Sequence, residues 1–169
     1  GSLDQDGGAL YTQFSHFVDL MYWIFGDIQQ PKSIIRNFTH RDLKDFDDSG
    51  FAQFEFVRGG MGSINYSTSC WDTNMESSIT VVGTKGSVKV GGQYVNEVEY
   101  CHVENYSLPT LPPTNPPNDY GPYKGSAANH HYVFQNVVDV LTGQTEITAT
   151  AFEGFKVVQM IERIYDAAR

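Results

Sequence analysis

The sequence predicts an α+β fold, a predominantly antiparallel, open-faced β-sheet with helices packed on one face. Three patterns predict it. Apolar residues recur at helical spacing near both ends of the chain, the middle alternates with a period of two, and glycine turns join one strand directly to the next. Strands joined by tight turns run antiparallel, because a parallel pair needs a long crossover connection.

The first element is a helix. Leu10, Phe14, Phe17/Val18, Met21 and Phe25 form one apolar stripe over four turns. Gly7-Gly8 precede it, and Gly26 stands where a left-handed C-terminal cap belongs. Strands follow. Ser33 to His40 is β-branched and aromatic at its centre. Residues 51–57 put Ala52, Phe54 and Phe56 on one face and Gln53 and Glu55 on the other. Gly59-Gly60 offers a positive-φ hairpin turn into residues 62–70, where Ile64 and Tyr66 alternate with Asn65, Ser67 and Ser69. Residues 77–82 pass through Gly83-Thr84-Lys85-Gly86 into Ser87–Val90, and another strand is expected over 95–103. A loop over 107–125 carries Pro109, Pro112, Pro113, Pro116, Pro117 and Pro122, too many prolines for regular structure. Two helices close the chain. Ser126 is the expected cap of the first, with a stripe of His130, Phe134, Val137/Val138 and Leu141 ending at Gly143. Thr150 and Glu153 form a capping box for the second, whose stripe is Val157, Ile161, Ile164 and Ala168.

Composition narrows the function. The 169 residues carry a net charge of -9 and no basic run, which argues against binding a nucleic-acid backbone. No apolar stretch approaches the ~20 residues that span a bilayer, and no signal-peptide pattern is visible, so no membrane partner and a cytoplasmic location are expected. Cys70 and Cys101 lack CxxC spacing and read as reduced, half-buried strand residues. Charged residues make up 18%, against roughly 25% in an average chain. The outer sheet face, expected to show Gln53, Glu55, Asn65, Ser67, Ser69, Thr80 and Lys89, is polar but nearly uncharged. Depletion of charge marks interface cores, so an interface between copies and a plain solvated face are both open readings.

The first helix carries a second stripe of Thr12, His16, Asp19 and Trp23. A histidine with a hydroxyl one turn before it and a carboxylate one turn after it suits acid–base work, since such neighbours set its tautomer and pKa. A polar patch on an interface helix explains the same residues. His130 and His131 are adjacent and diverge on a helix, so they do not chelate together. No ligand spacing supports a metal site, zinc on His16, Asp19 and His130 included. The serines lack a GxSxG context. Gly83–Gly86 is a turn between strands rather than a phosphate loop, and no GxGxxG is present, so no dinucleotide site is visible in this chain.

The run from Gly7-Gly8 through His16 and Asp19 to Trp23 and Gly26 resembles the GGxLxxxxxHxxDxxxWxxG helix of the glucose–fructose oxidoreductase/inositol dehydrogenase (Gfo/Idh/MocA) family. Asp48-Ser-Gly50 followed by Gly59-Gly-Met-Gly62 is similar to that family's sheet entry. Ile79 to Val88 resembles its GTKGS hairpin, and Ala149-Thr-Ala151 with the helix ending at Ala168 resembles its C-terminus. The likeness covers nearly all 169 residues.

The resemblance implies that residues 1–169 are a single C-terminal substrate-binding and oligomerisation domain. The N-terminal Rossmann domain, which would bind most of an NAD or NADP cofactor, and the family's catalytic lysine in an EKP-type motif are absent from this chain. It implies a parent dehydrogenase acting on a secondary alcohol of a sugar, nucleotide-sugar or cyclitol, and a homodimer or homotetramer formed through the open sheet face. Whether the fragment alone is an enzyme is left open. His16 takes the place of the catalytic histidine, with Thr12 as its orienting partner and Asp19 as anchor or tuner. Many members carry Asp where this chain has Thr12. Nucleotide-sugar dehydrogenases of the family are similar in lacking it, and the stretch from Gln13 to Ile28 looks most like theirs. Gln13, Trp71, Arg36, His130 and His131 are substrate-contact candidates, each with a structural reading beside it. The rival to an enzyme half is a non-catalytic carbohydrate-binding or scaffolding domain of the same fold.

Overall fold

A computed structural model describes residues 3–43, 46–121 and 124–169. In chain order the elements are α1 Leu3–Asp6, α2 Ala9–Thr12, α3 Ser15–Phe25, β1 Ile28–Arg36, β2 Ser49–Phe56, β3 Met61–Ser67, β4 Ile79–Gly83, β5 Gly86–Gly91, β6 Glu97–Val103, β7 Pro117–Asp119, β8 Lys124–Ala127, α4 His130–Leu141 and α5 Ala151–Asp166. Every strand pairing is antiparallel, so the expected α+β class holds. The chain forms two compact units, Gly1–Cys70 with Thr148–Arg169, and Trp71–Ile147.

The first unit is the sheet β1-β2-β3 with the helices against its inner face. Alternation in β2 sends Ala52, Phe54 and Phe56 inward, as the sequence predicts, and β3 adds Tyr66. Ala9 and Leu10 of α2, Val18 of α3, and Val157, Met160, Ile161 and Ile164 of α5 complete the core. Full burial of a side chain such as Ile161 or Ile164 contributes about 1.5–3 kcal/mol. The predicted capping box opens α5: Glu153 N–H donates to Thr150 Oγ1 (3.2 Å), and Thr150 N–H donates to Glu153 Oε2 (2.8 Å). Asp27 joins α3 to α5 by accepting from Lys156 Nζ (3.1 Å) and Arg163 Nη1 (2.8 Å).

Three features of this unit differ from expectation. The helix expected over four unbroken turns is interrupted at Gln13-Phe14. The N–H groups of Gln13 and Phe14 both turn back to Ala9 O, and those of Phe17 and Val18 turn back to Phe14 O. The kink seats the Phe14 ring on Tyr66, with centroids 4.9 Å apart. Second, β1 begins at Ile28 and ends at Arg36 rather than His40. The chain leaves the sheet there because Phe38, Thr39 and His40 donate their N–H groups to Asp48 Oδ2 at 2.9, 2.7 and 3.2 Å. Third, the outer face carries exposed Ile34, Phe51 and Met61 beside Gln53, Glu55, Asn65 and Ser67. Ser69 lies beyond β3, outside the sheet.

The second unit holds the sheet β4-β5-β6, the ribbon β7-β8 and α4. Thr80 and Lys89 belong to this sheet, so the polar residues expected on one face are divided between two sheets, with Ser69 in neither. Lys89 sits among carboxylates, paired with Glu99 and with Glu76. The proline-rich loop is not wholly irregular, because its end folds into the β7-β8 ribbon. Pro122 lies outside the described residues. Ser126 is in β8, and Asn129 takes the position before α4. The predicted stripe of α4 forms, but no residue of the helix is buried within the unit: Phe134 is 72% exposed and Leu141 81%.

Both cysteines are free thiols. Cys101 is half-buried in β6, whereas Cys70 is exposed and past the end of β3. Among the described residues, no helix is long and apolar enough to cross a membrane.

Candidate functional site

The predicted polar stripe is divided at the α2–α3 junction. His16, Asp19 and Trp23 are exposed on one side of α3, at spacings of three and four. The His16 ring lies against Phe17 with centroids 4.3 Å apart. The surrounding chain partly desolvates the imidazole, which holds its pKa below the ordinary histidine value. A neutral imidazole at pH 7 has one ring nitrogen ready to accept a proton.

Thr12 stands on the other side of the kink, at the end of α2. Its hydroxyl donates to Gly8 O at 3.1 Å, one turn back. Among the described residues no hydrogen bond joins Thr12 to His16. The kink at Gln13-Phe14 separates the two residues that an unbroken helix would have aligned. Gln13 is exposed at the kink itself.

The start of α2 is tied to the core by side chains from far along the chain. Ala9 N–H donates to Asp47 Oδ1 at 3.0 Å, and Leu10 N–H donates to Tyr165 Oη at 3.1 Å. Tyr66 and Tyr165 donate their hydroxyls to Asp47 at 2.6 and 3.0 Å. Burial, joined by the nearby Asp47 charge, raises both tyrosine pKa values and keeps both hydroxyls protonated as donors. Sequence reasoning missed Asp47, Tyr66 and Tyr165 as neighbours of this site. The available signal was the tandem Asp47-Asp48 before a strand in a charge-poor chain.

The other predicted contacts are dispersed. Arg36 ends β1, donates to Ile35 O at 2.7 Å, and lines an open depression of about 320 Å³ with Asn37, Tyr165 and Arg169. Trp71, His130 and His131 belong to the second unit. Trp71 is 91% exposed on an irregular segment, and the two histidines open α4, both exposed. Among the described residues, no three His, Cys, Asp or Glu side chains cluster closely enough to hold a metal ion. The Gly83–Gly86 turn joins strand to strand, and Lys85 within it is already paired with Glu104 at 3.2 Å. That turn supplies neither a helix N-terminus nor an unpaired cation for a pyrophosphate.

Comparison with known proteins gives this geometry a context. The Gfo/Idh/MocA family model described as "Oxidoreductase family, C-terminal alpha/beta domain" matches residues 3–169. The WlbA dehydrogenase from Bordetella pertussis, solved in complex with NADH and UDP-GlcNAcA, is 29% identical with a TM-score of 0.78; the match covers 100% of this chain and 45% of that one. The WlbA dehydrogenase from Chromobacterium violaceum, also in complex with NADH and UDP-GlcNAcA, is 26% identical with a TM-score of 0.78, covering 100% of this chain and 46% of that one. Biliverdin reductase from Synechocystis sp. PCC 6803 has the same fold at 14% identity, with a TM-score of 0.69 over 98% of this chain and 48% of its own. No curated protein matches in sequence. The chain therefore spans just under half the length of these three structures.

Proposed function

The chain belongs to the Gfo/Idh/MocA oxidoreductase family, as its C-terminal α/β domain, and from that membership we propose that it is the substrate-side half of an NAD(P)-dependent nucleotide-sugar dehydrogenase. The observation that carries the substrate class is the similarity, along the whole of this chain, to the corresponding part of two structures that hold NADH and UDP-GlcNAcA. The biliverdin reductase shares only the fold, so the fold does not select the substrate.

We assign the binding of the cofactor's phosphates to the N-terminal Rossmann domain that the resemblance implies. The nicotinamide would supply the hydride acceptor. The part played by this chain is the proton. His16, exposed and held neutral, accepts the proton of the sugar hydroxyl at its unprotonated ring nitrogen. Gln13, exposed beside it at the kink, is placed to orient the substrate. Thr12 has already spent its hydroxyl proton on Gly8 O, so it acts on the site as a hydrogen-bond acceptor or through the backbone of α2. Asp19 lies one turn beyond His16 on the same side of α3, and its proposed role is that of an anchor or tuner of the imidazole.

The outer face of β1-β2-β3 is proposed as the contact between subunits. Ile34 and Phe51 are cross-strand neighbours there, Phe51 pairs across to Asn65, and all three are exposed. A row of apolar and uncharged residues on an exposed sheet face is the composition of an interface core.

The test uses the full-length protein, with NAD+ and UDP-GlcNAcA as probes and NADH absorbance as the readout. Turnover that falls by about 10²–10⁴-fold in His16→Ala, with folding stability preserved, supports the assignment. Near-wild-type turnover in that variant would sink it.

A further inference from the structure

We propose that Asp47 is the positioning residue for His16, holding the start of the helical segment that carries it. This rests on the reading of His16 as the base. Asp47 is buried, and its described partners are all N–H and O–H donors: the Ala9 amide and the Tyr165 hydroxyl on Oδ1, and the Tyr66 hydroxyl on Oδ2. Those donors come from three elements distant in sequence, α2, β3 and α5. The carboxylate is therefore the point at which they are held in register.

Two routes lead from this point to His16. One is backbone: Ala9 O accepts from Gln13 and Phe14, and Phe14 O accepts from Phe17 and Val18, the first turn of the helix holding His16. The other is packing: Tyr66, which donates to Asp47, carries the Phe14 ring on its own ring. The four-residue α2 is too short to hold its shape alone, since an isolated helix of that length does not overcome the cost of nucleation. What fixes it is the directional pull on Ala9 N–H and Leu10 N–H. A buried carboxylate is a costly group for packing alone, and three donors are what make it tolerable.

The experiment compares Asp47→Ala, Asp47→Asn and Ile161→Ala in the full-length protein, by amide hydrogen exchange and by steady-state kinetics with NAD+ and UDP-GlcNAcA. Ile161→Ala is the stability control, a core deletion that removes none of the hydrogen bonds to Asp47. In Asp47→Ala, exchange over residues 9–18 is expected to accelerate at least about tenfold while residues 157–164 change no more than in the control. Turnover is expected to fall by about 100-fold, the cost of misplacing a catalytic group by about 1 Å, with the KM for NAD+ within about twofold. Asp47→Asn keeps an acceptor for Ala9 and should recover most of that loss. Unaltered exchange over residues 9–18 overturns the proposal whether or not the enzyme turns over. Acceleration equal to that of the control, or faster exchange with unaltered turnover, also overturns it. The functional reading fails separately, if His16→Ala keeps full activity.

Discussion

The Tyr165 hydroxyl occupies the place where a side chain on Gly8 would have to go. Gly8 sits at φ +102°, and a Cβ built on it would also lie 2.6 Å from Asp47 Oδ1. Gly59, at φ +101°, has nothing within 4 Å of its Cβ position. The two glycines share a backbone strain and differ in crowding. Gly59→Ala is expected to cost about 1–3 kcal/mol, the strain of a non-glycine residue at such a φ. Gly8→Ala should exceed Gly59→Ala clearly, because the Asp47–Tyr165 contact must also open. Urea denaturation of both variants checks the order, and equal losses would show that the crowding is relieved at no cost.

The sequence made legible the elements whose signal is local. The Thr150/Glu153 capping box and the inward alternation of Ala52, Phe54 and Phe56 depend on neighbours a few residues away, and both appear where expected. The kink at Gln13-Phe14 was hidden because Tyr66, the ring on which it seats Phe14, lies more than fifty positions along the chain. Periodicity drew the stripe of α4 correctly but says nothing of what lies opposite it, and the second unit leaves Phe134 and Leu141 exposed. Likewise His16 was visible as a histidine on a polar stripe. The groups that tie its segment down were not, because Asp47, Tyr66 and Tyr165 converge only in three dimensions.

The lowered pKa of His16 makes a pH prediction with a definite sign. Its folded form binds a proton less readily than its unfolded form, because partial desolvation disfavours the charged ring. Between the ordinary value of about 6.5 and the lower folded value, stability therefore rises with pH. It is fully present above about 6.5 and declines on acidification. If His16 is the base, kcat/KM should rise with pH along a limb whose midpoint lies below about 6.5. A midpoint above that value in the full-length enzyme would contradict the assignment of this limb to His16.

Asp48 predicts an acid-labile fold. Burial alone would raise its pKa, but the N–H groups of Thr39 and Phe38 and the Thr39 hydroxyl outweigh it and hold the carboxyl well below its usual range. A group with a depressed folded pKa contributes stability above its unfolded value, about 3.9, and loses it as pH falls further toward the folded value. Thermal melts from pH 5 downward should show the loss starting near pH 4. Asp48→Asn should be less stable at neutral pH and flatter below pH 4. An unaltered acid limb in that variant would place the titrating carboxylate elsewhere.

The outer sheet face makes the last prediction. Arg36, Ser49 and Ser67 form one cross-strand row, with the two serine hydroxyls 2.9 Å apart, and Ser67 is exposed. Ser67→Lys adds a second cation to a row that already ends in Arg36. On a solvated face the change is nearly neutral, within about 0.5 kcal/mol, because no buried contact is lost. On a face pressed against a second copy it buries unpaired charge and opposes like charge, which costs several kcal/mol. Sedimentation of the full-length protein separates the cases. Dissociation of an oligomer by Ser67→Lys, with the monomer's fold retained by circular dichroism, supports the interface. An unchanged hydrodynamic mass removes this face from the assembly, whatever the oligomeric state.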